Sequence, residues 1–372
     1  MITDIRGLYV HIPFCIRKCN YCDFASLGGS FDEHIDAYID RLLSEAEEYR
    51  ENEKVKIDTL YFGGGTPSLL SPKRLERILL PLSDIFDFSS DLEFTLEANP
   101  GTLDYEKAVG YRSLGVNRIS MGLQSIHENE LKILGRKHTY TDFLECYSAL
   151  RRAGFENLNV DLMYGIPECT VDSFGKTLDA VTALSPEHVS AYGLIVEEGT
   201  PFYKMRKTLA LPTEDEEADM YYLASEKLAR AGYSHYEISN YARAGRESRH
   251  NLRYWHDEEY IGIGVSAYSY YKNKRYGNTR SLKEYLSSAP RENYEEIDGE
   301  AERFEYAMMH LRLSSGIDLA VYKERFGTPF AHGKEDRIAE YSERGLVSVS
   351  GNRLSLTEQG FYLSNMILSD LL

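Results

Sequence analysis

Cysteine and tryptophan are scarce in this chain: 5 and 1 among 372 residues. Five cysteines are too few for a disulfide scaffold, and disulfides are rare in reducing compartments, so no structural bridge is expected. No run of 18 or more apolar residues occurs, so no bilayer-spanning helix is expected. Positive charge is short too, with 42 Lys and Arg against 59 Asp and Glu and a net charge of −17. Nucleic-acid and anionic-membrane surfaces need clustered Lys and Arg, so neither partner is expected. The opening MITDIRGLYV lacks a cationic segment followed by an apolar one, which points to a soluble, cytoplasmic protein. There is no internal repeat and no low-complexity tract.

What the chain does have is tyrosine, 29 residues of it, suited to aromatic-lined pockets. It also has three cysteines on one short stretch, Cys15, Cys19 and Cys22, spaced C-x3-C-x2-C inside YVHIPFCIRKCNYCDF. Thiolates are soft ligands for iron–sulfur clusters, zinc or copper(I). A four-iron cluster normally takes four of them. Three on one loop hold three irons and leave the fourth open to a substrate or cofactor, the mark of a reactive site. Zinc wants a fourth ligand at regular spacing, and His11 and Asp23 are badly spaced for it. Cys146, on a helix, and Cys169, in a loop, read as small hydrophobes.

Short apolar runs bounded by turn signals predict strands at Gly7–Ile12, Ile57–Phe62, Leu92–Ala98, Asn117–Met121, Leu158–Met163 and His188–Leu194. Amphipathic stretches between them predict helices at Asp32–Arg50, Pro72–Leu82, Tyr105–Leu114, Thr141–Ala153 and Val171–Leu184. Alternating strands and helices imply right-handed βαβ units and a parallel sheet. The expected fold is α/β: an open partial (β/α)6 barrel rather than a closed eight-fold one, with its site at the C-terminal strand ends. The expected divisions are a core barrel over 1–212, an extension over 213–290 and a small domain over 302–372. Glu214–Glu217 opens an acidic helix, Tyr233–Tyr276 shows little periodicity, and Ser287–Ala301 reads as a polar linker. The last segment, helices and then a hairpin around Gly351-Asn352, suggests a winged-helix-like domain, whose wing the net charge argues against binding DNA.

The second strand ends in Gly63-Gly64-Gly65-Thr66-Pro67. Glycines there free backbone N–H groups to approach an anion, although a tight turn also uses them. Glu97 ends the third strand, where a carboxylate can hold ribose hydroxyls or merely cap a helix. Gln124 ends the fourth strand, Arg136 follows its helix and Asp161 lies on the fifth strand. Together they can bind an amino-acid group by charge-assisted hydrogen bonds.

These motifs, with YVHIPFC, MGLQS and Gly262–Ala267, resemble the radical S-adenosylmethionine superfamily. More narrowly they resemble the family of oxygen-independent coproporphyrinogen oxidase, HemN, and its relative HemW. The resemblance implies a 4Fe-4S cluster on Cys15, Cys19 and Cys22, with S-adenosylmethionine on the open iron. Gly64, Gly65 and Thr66 would hold its methionyl end, and Glu97 its ribose. Gln124, Arg136 and Asp161 would hold the ribose or the methionyl carboxylate. Tyr9 and Tyr21 match further family contacts, and Gly193 and Tyr268 match more loosely.

Departures narrow the function. The oxidases place a fourth Cys two residues after the third; here that position is Phe24. They also carry an N-terminal extension, and the 14 residues before Cys15 are too few for it. His250-Asn251-Leu252-Arg253-Tyr254-Trp255 matches the H-N-x-x-Y-W string of the haem-binding relative. His250 can offer an axial nitrogen to haem iron, or, with Asn251, serve as a hydrogen-bonded brace. The first expectation is therefore a haem chaperone that passes haem to acceptor haemoproteins, membrane respiratory enzymes among the candidates. The alternative is a radical coproporphyrinogen III dehydrogenase.

Overall fold

The computed structural model describes residues 5–29, 32–287 and 291–372. β1 (Ile5–Ile12) leads into two short paired segments, β2 (Phe14–Cys15) and β3 (Leu27–Gly28). Then come β4 (Val55–Gly64), β5 (Phe86–Ala98), β6 (Arg118–Gln124), β7 (Leu158–Tyr164) and β8 (His188–Gly193). In order β1-β4-β5-β6-β7-β8 these strands pair in parallel, and all six predicted strands are present. Their outward side chains, such as Leu8, Val10, Leu60, Phe62, Leu96, Ile119, Val160 and Val189, are buried against the surrounding helices. β5 starts before the predicted Leu92, because Phe86–Phe88 pairs with Val55–Ile57 and the polar Ser89–Asp91 stretch after it hides that start in the sequence.

Helices α1 (Asp32–Ala46), α2 (Pro72–Ile85), α3 (Tyr105–Ser113), α4 (Glu128–Leu134), α5 (Tyr140–Arg152) and α6 (Val171–Leu184) fill the connections. Their starts follow capping chemistry. Ser71 accepts from Arg74 N–H with Pro72 at the first turn, and Thr170 and Ser173 form a reciprocal capping box. Further along are α7 (Pro201–Met205) and the acidic α8 (Glu214–Arg230), whose first turn of four carboxylates suits the positive end of the helix dipole.

The stretch expected to be irregular, Tyr233–Tyr276, is instead rich in structure. It holds β9 (Ser234–Glu237), β10 (Asn240–Ala242), α9 (Arg249–Trp255), β11 (Tyr260–Ile263), β12 (Tyr268–Tyr271) and β13 (Lys274–Asn278). Three to five residues per strand are too few for a period to show. The predicted linker Ser287–Ala301 is also corrected, apart from 288–290, which lie outside the described residues. After α10 (Leu282–Ser287), Arg291–Glu296 forms β14 and pairs with β13. Every residue of β14 is exposed, so this charged edge strand carries no hydrophobic pattern.

The sheet runs β14-β13-β12-β11-β1-β4-β5-β6-β7-β8-β10-β9. Among the described residues its ends do not pair, so the barrel is open as expected. The C-terminal part comprises α11 (Gly299–His310), β15 (Ile317–Asp318), α12 (Leu319–Phe326), α13 (Glu335–Glu343), the hairpin β16 (Val347–Ser350) and β17 (Arg353–Leu356), then α14 (Glu358–Tyr362) and α15 (Ser364–Leu371). Helices on a three-stranded sheet fit the winged-helix-like expectation. No described helix is long and apolar enough to cross a membrane.

Candidate functional site

A cavity of about 360 Å³ opens at the C-terminal ends of the parallel strands, and all three clustered cysteines line it. The loop bearing them is fastened at both ends. Thr66 donates to Cys15 Sγ at 3.5 Å, and Cys22 Sγ lies 3.9 Å from Ser26 Oγ. Between them Asn20 donates its side-chain amide to Ile133 O at 2.8 Å and its backbone N–H to Leu134 O at 2.9 Å. Burial pushes the Cys15 and Cys22 thiols up. Among the described residues no three His, Cys, Asp or Glu side chains gather closely enough to grip one metal ion. Three soft sulfurs around one cavity, without a common centre, fit a multi-iron cluster better than a single zinc ion.

The glycine loop differs from its expected chemistry. Gly64 N–H already donates to Glu97 Oε2 at 3.0 Å, and Gly65 N–H to Ile12 O at 2.8 Å, so neither is a free anion donor. What both glycines supply is room. At Gly64, φ is +107° and an added Cβ would sit 2.4 Å from the His11 ring; at Gly65 it would meet Phe14 O at 2.8 Å.

Glu97 also accepts from Tyr61 OH at 2.9 Å. Burial pushes its carboxyl up to about 7, against those hydrogen bonds and with Asp161 adding to the rise. Thr66 links further: Asn99 donates to Thr66 Oγ1 at 2.8 Å and accepts from Arg136 Nη1 at 2.5 Å. A hydrogen-bonded series thus runs from Cys15 through Thr66 and Asn99 to Arg136. Gln124, at the end of β6, adopts φ +71° beside a register shift, which turns its side chain into the cavity. Asp161 accepts from Asn159 at 2.7 Å and Ser120 at 3.3 Å, and burial raises its carboxyl. Tyr21 lines the same cavity, its phenol pushed up by burial.

Four expected residues do not line this cavity. Tyr9 donates to His11 Nδ1 at 3.0 Å and stacks near Tyr61. Gly193, ending β8, lies against the Tyr164 ring. Tyr268 is 43 % exposed on β12, hydrogen-bonded to Asn293. His250 takes the second of its two expected roles in this geometry. It is buried, with Nδ1 2.9 Å from Thr59 Oγ1 and Nε2 2.8 Å from Tyr254 OH. Burial lowers its pKa to about 3. Both ring nitrogens are engaged within the protein, which is the geometry of a hydrogen-bonded brace. The helix that carries it, α9, lies under the barrel: Glu93 accepts the N–H groups of Arg249 and His250 at 3.2 and 3.1 Å. Asn251 of the same string does reach the cavity lining.

Sequence reading missed Asn99, Arg118, Asn159, Tyr192 and Asn251, all of which line the cavity. One signal was present. Arg118, Ser120 and Gly122 alternate with apolar residues on β6, and Asn159 and Asp161 do so on β7. Polar groups at every second position of buried strands mark an inward polar face.

Comparison with known proteins agrees with this geometry. Residues 9–181 match the family described as the Radical SAM superfamily, and residues 297–363 the HemN C-terminal domain. The haem chaperone HemW of Lactococcus lactis subsp. lactis is 38 % identical over 377 residues, covering 100 % of this chain and 98 % of that protein. The haem chaperone HemW of Bacillus subtilis is 33 % identical, covering 98 % of each. Among solved structures, coproporphyrinogen III oxidase (HemN) from Escherichia coli superposes with a TM-score of 0.88 at 24 % identity, over 99 % of this chain and 91 % of that one. That last likeness speaks for the fold.

Proposed function

The chain belongs to the HemW family within the radical S-adenosylmethionine superfamily, and from that premise we propose that it is a haem chaperone of the cytoplasm. It binds haem beside a 4Fe-4S cluster and S-adenosylmethionine, and hands the haem to acceptor haemoproteins. The observation that carries the reading is the full-length likeness to curated haem chaperones. Family membership implies the cluster, S-adenosylmethionine and haem.

Cys15, Cys19 and Cys22 would hold the cluster, whose open iron supplies a coordination position and one-electron chemistry when bound. Gly64, Gly65 and Thr66 shape the space for the methionyl end. Glu97 would hold the ribose, while Gln124, Arg136 and Asp161, which line the same cavity, would hold the ribose or the methionyl carboxylate with hydrogen-bonding and charged atoms. Tyr21 adds an aromatic wall. Tyr9 stands behind that lining against Tyr61, and Gly193 follows the lining residue Tyr192.

Haem needs apolar surface of its own. Phe24, where the oxidases carry a cysteine, is 69 % exposed and lines the mouth; Ile16 on the same loop is 58 % exposed. Exposed apolar side chains in a cluster mark a binding face. We place the porphyrin against this loop, not at His250.

The test is anaerobic haem titration of reconstituted protein followed by its Soret band. Wild type shifts the band at stoichiometric haem. Phe24→Ser combined with Ile16→Ser weakens binding, and His250→Ala retains it. Loss of binding in His250→Ala with an intact fold overturns the placement; no shift in wild type overturns the chaperone reading. The oxidase alternative is checked with coproporphyrinogen III, S-adenosylmethionine and reductant, where no protoporphyrinogen is expected.

A further inference from the structure

The cavity lining holds a buried cation that, among the described residues, no protein group grips directly. Arg118, at the start of β6, is 2 % exposed, one of the largest fully buried side chains, and lines the cavity. Among the described residues its side chain makes no hydrogen bond and no ion pair within 4.0 Å, and its Nε is buried without a partner. A guanidinium does not shed its proton, and an uncompensated buried charge is strongly destabilising.

Other buried arginines reach a protein group directly. Arg253 bridges Asp58 and Glu258, and Arg136 donates to Asn99. The Glu97 and Asp161 carboxyls feel its charge but make their hydrogen bonds elsewhere, Glu97 with Tyr61 and Gly64 and Asp161 with Asn159 and Ser120. Across the β5–β6 register, Arg118 stands opposite Thr95, whose Oγ1 is also buried without a partner. Two unpartnered polar atoms therefore sit at one level of the barrel. The lining beyond them is neutral: Ser120, Asn159, Ser190 and Asn251.

We propose that Arg118 anchors a carboxylate of the bound ligand at the inner end of the cavity. One guanidinium offers two parallel N–H donors, which match a carboxylate. One guanidinium in a lining that already holds the Glu97 and Asp161 carboxyls suits a single negative charge better than a phosphate, which draws several cations. Two carboxylates fit this chemistry: the methionyl group of S-adenosylmethionine or a haem propionate. The inference rests on the cavity being a small-molecule site, not on which of those ligands fills it.

The experiment uses the full chain and reads binding rather than turnover. Sodium propionate should raise the melting temperature of wild type while propionamide does not, and Arg118→Gln should abolish the difference; Arg118→Lys, which keeps the charge, should retain part of it. S-adenosylmethionine is compared with its decarboxylated form, and haem with its dimethyl ester. The true source is the one whose acid form, and not its uncharged counterpart, binds about tenfold more weakly to Arg118→Gln. Should Arg118→Gln fail to fold, Arg118→Lys and the propionate–propionamide comparison on wild type decide. Equal protection by propionate and propionamide, or unchanged affinity of every acid for a folded Arg118→Gln, overturns the proposal. Failure of haem to bind wild type while propionate still protects it would sink the chaperone reading and leave this one standing.

Discussion

Glu97 accepts the backbone N–H of Gly64 at 3.0 Å, which ties the end of β4 to the end of β5 at the rim of the cavity. The carboxylate that faces the proposed ligand is therefore also what holds the glycine loop in place. Burial gives this contact a pH dependence. The unfolded chain releases the proton near the ordinary 4.5, while the folded carboxyl keeps it up to about 7. Stability from Glu97 is thus full below about pH 4.5 and is lost as pH rises to 7, by about 3 kcal/mol. Glu237, also pushed up to about 7 by burial, contributes a similar slope, so the informative quantity is a difference. Urea unfolding of wild type and Glu97→Gln between pH 5 and 8 should diverge with pH; parallel curves would refute the assignment.

Gly64→Ala should be severe for its size. The new Cβ would lie 2.4 Å from His11 in a left-handed backbone conformation, with His11 held by Tyr9 and Ala25 O on either side. A loss of roughly 2 kcal/mol or more is expected, together with poor cluster incorporation. Thermal melting and iron content measure the two effects separately.

Each of Cys15→Ser, Cys19→Ser and Cys22→Ser should abolish the visible absorbance of the anaerobically reconstituted cluster. Cys146→Ser and Cys169→Ser should leave iron and sulfide content unchanged, because both side chains are buried away from the cavity lining. Iron bound at wild-type level by any of the first three would remove that cysteine from the cluster.

His250→Ala removes a ring hydrogen-bonded at both nitrogens and stacked within 5.1 Å of Tyr61. It leaves a void under the barrel and frees the Thr59 and Tyr254 hydroxyls. A destabilisation of about 2–4 kcal/mol is expected in chemical denaturation. Thr59→Val, which removes a single partner, should cost less.

The parallel body was legible because each strand is a short apolar run framed by helices, and the cysteine loop because its spacing is local. β14 was not legible: its RENYEE segment is fully exposed and owes its extended form to pairing with β13. The short strands between Ser234 and Asn278 failed for the same reason, since backbone partners elsewhere in the chain define them. His250 shows the limit for the site. A histidine in a ligand-like string reads as a ligand, and only the positions of Thr59, far back in the chain, and Tyr254 reveal it as a brace.

The sequence by itself determined the soft-donor loop, the α/β pattern and the family, because these depend on residue type and short spacing. Tertiary structure decided which polar groups meet. Gly64 serves as clearance for His11, α9 lies beneath the barrel, and Arg118 sits opposite Thr95 with no hydrogen-bond partner among the described residues. Each of these depends on strand register and on burial. Register sets which residue faces which across the sheet, and burial sets what an unpaired charge must find.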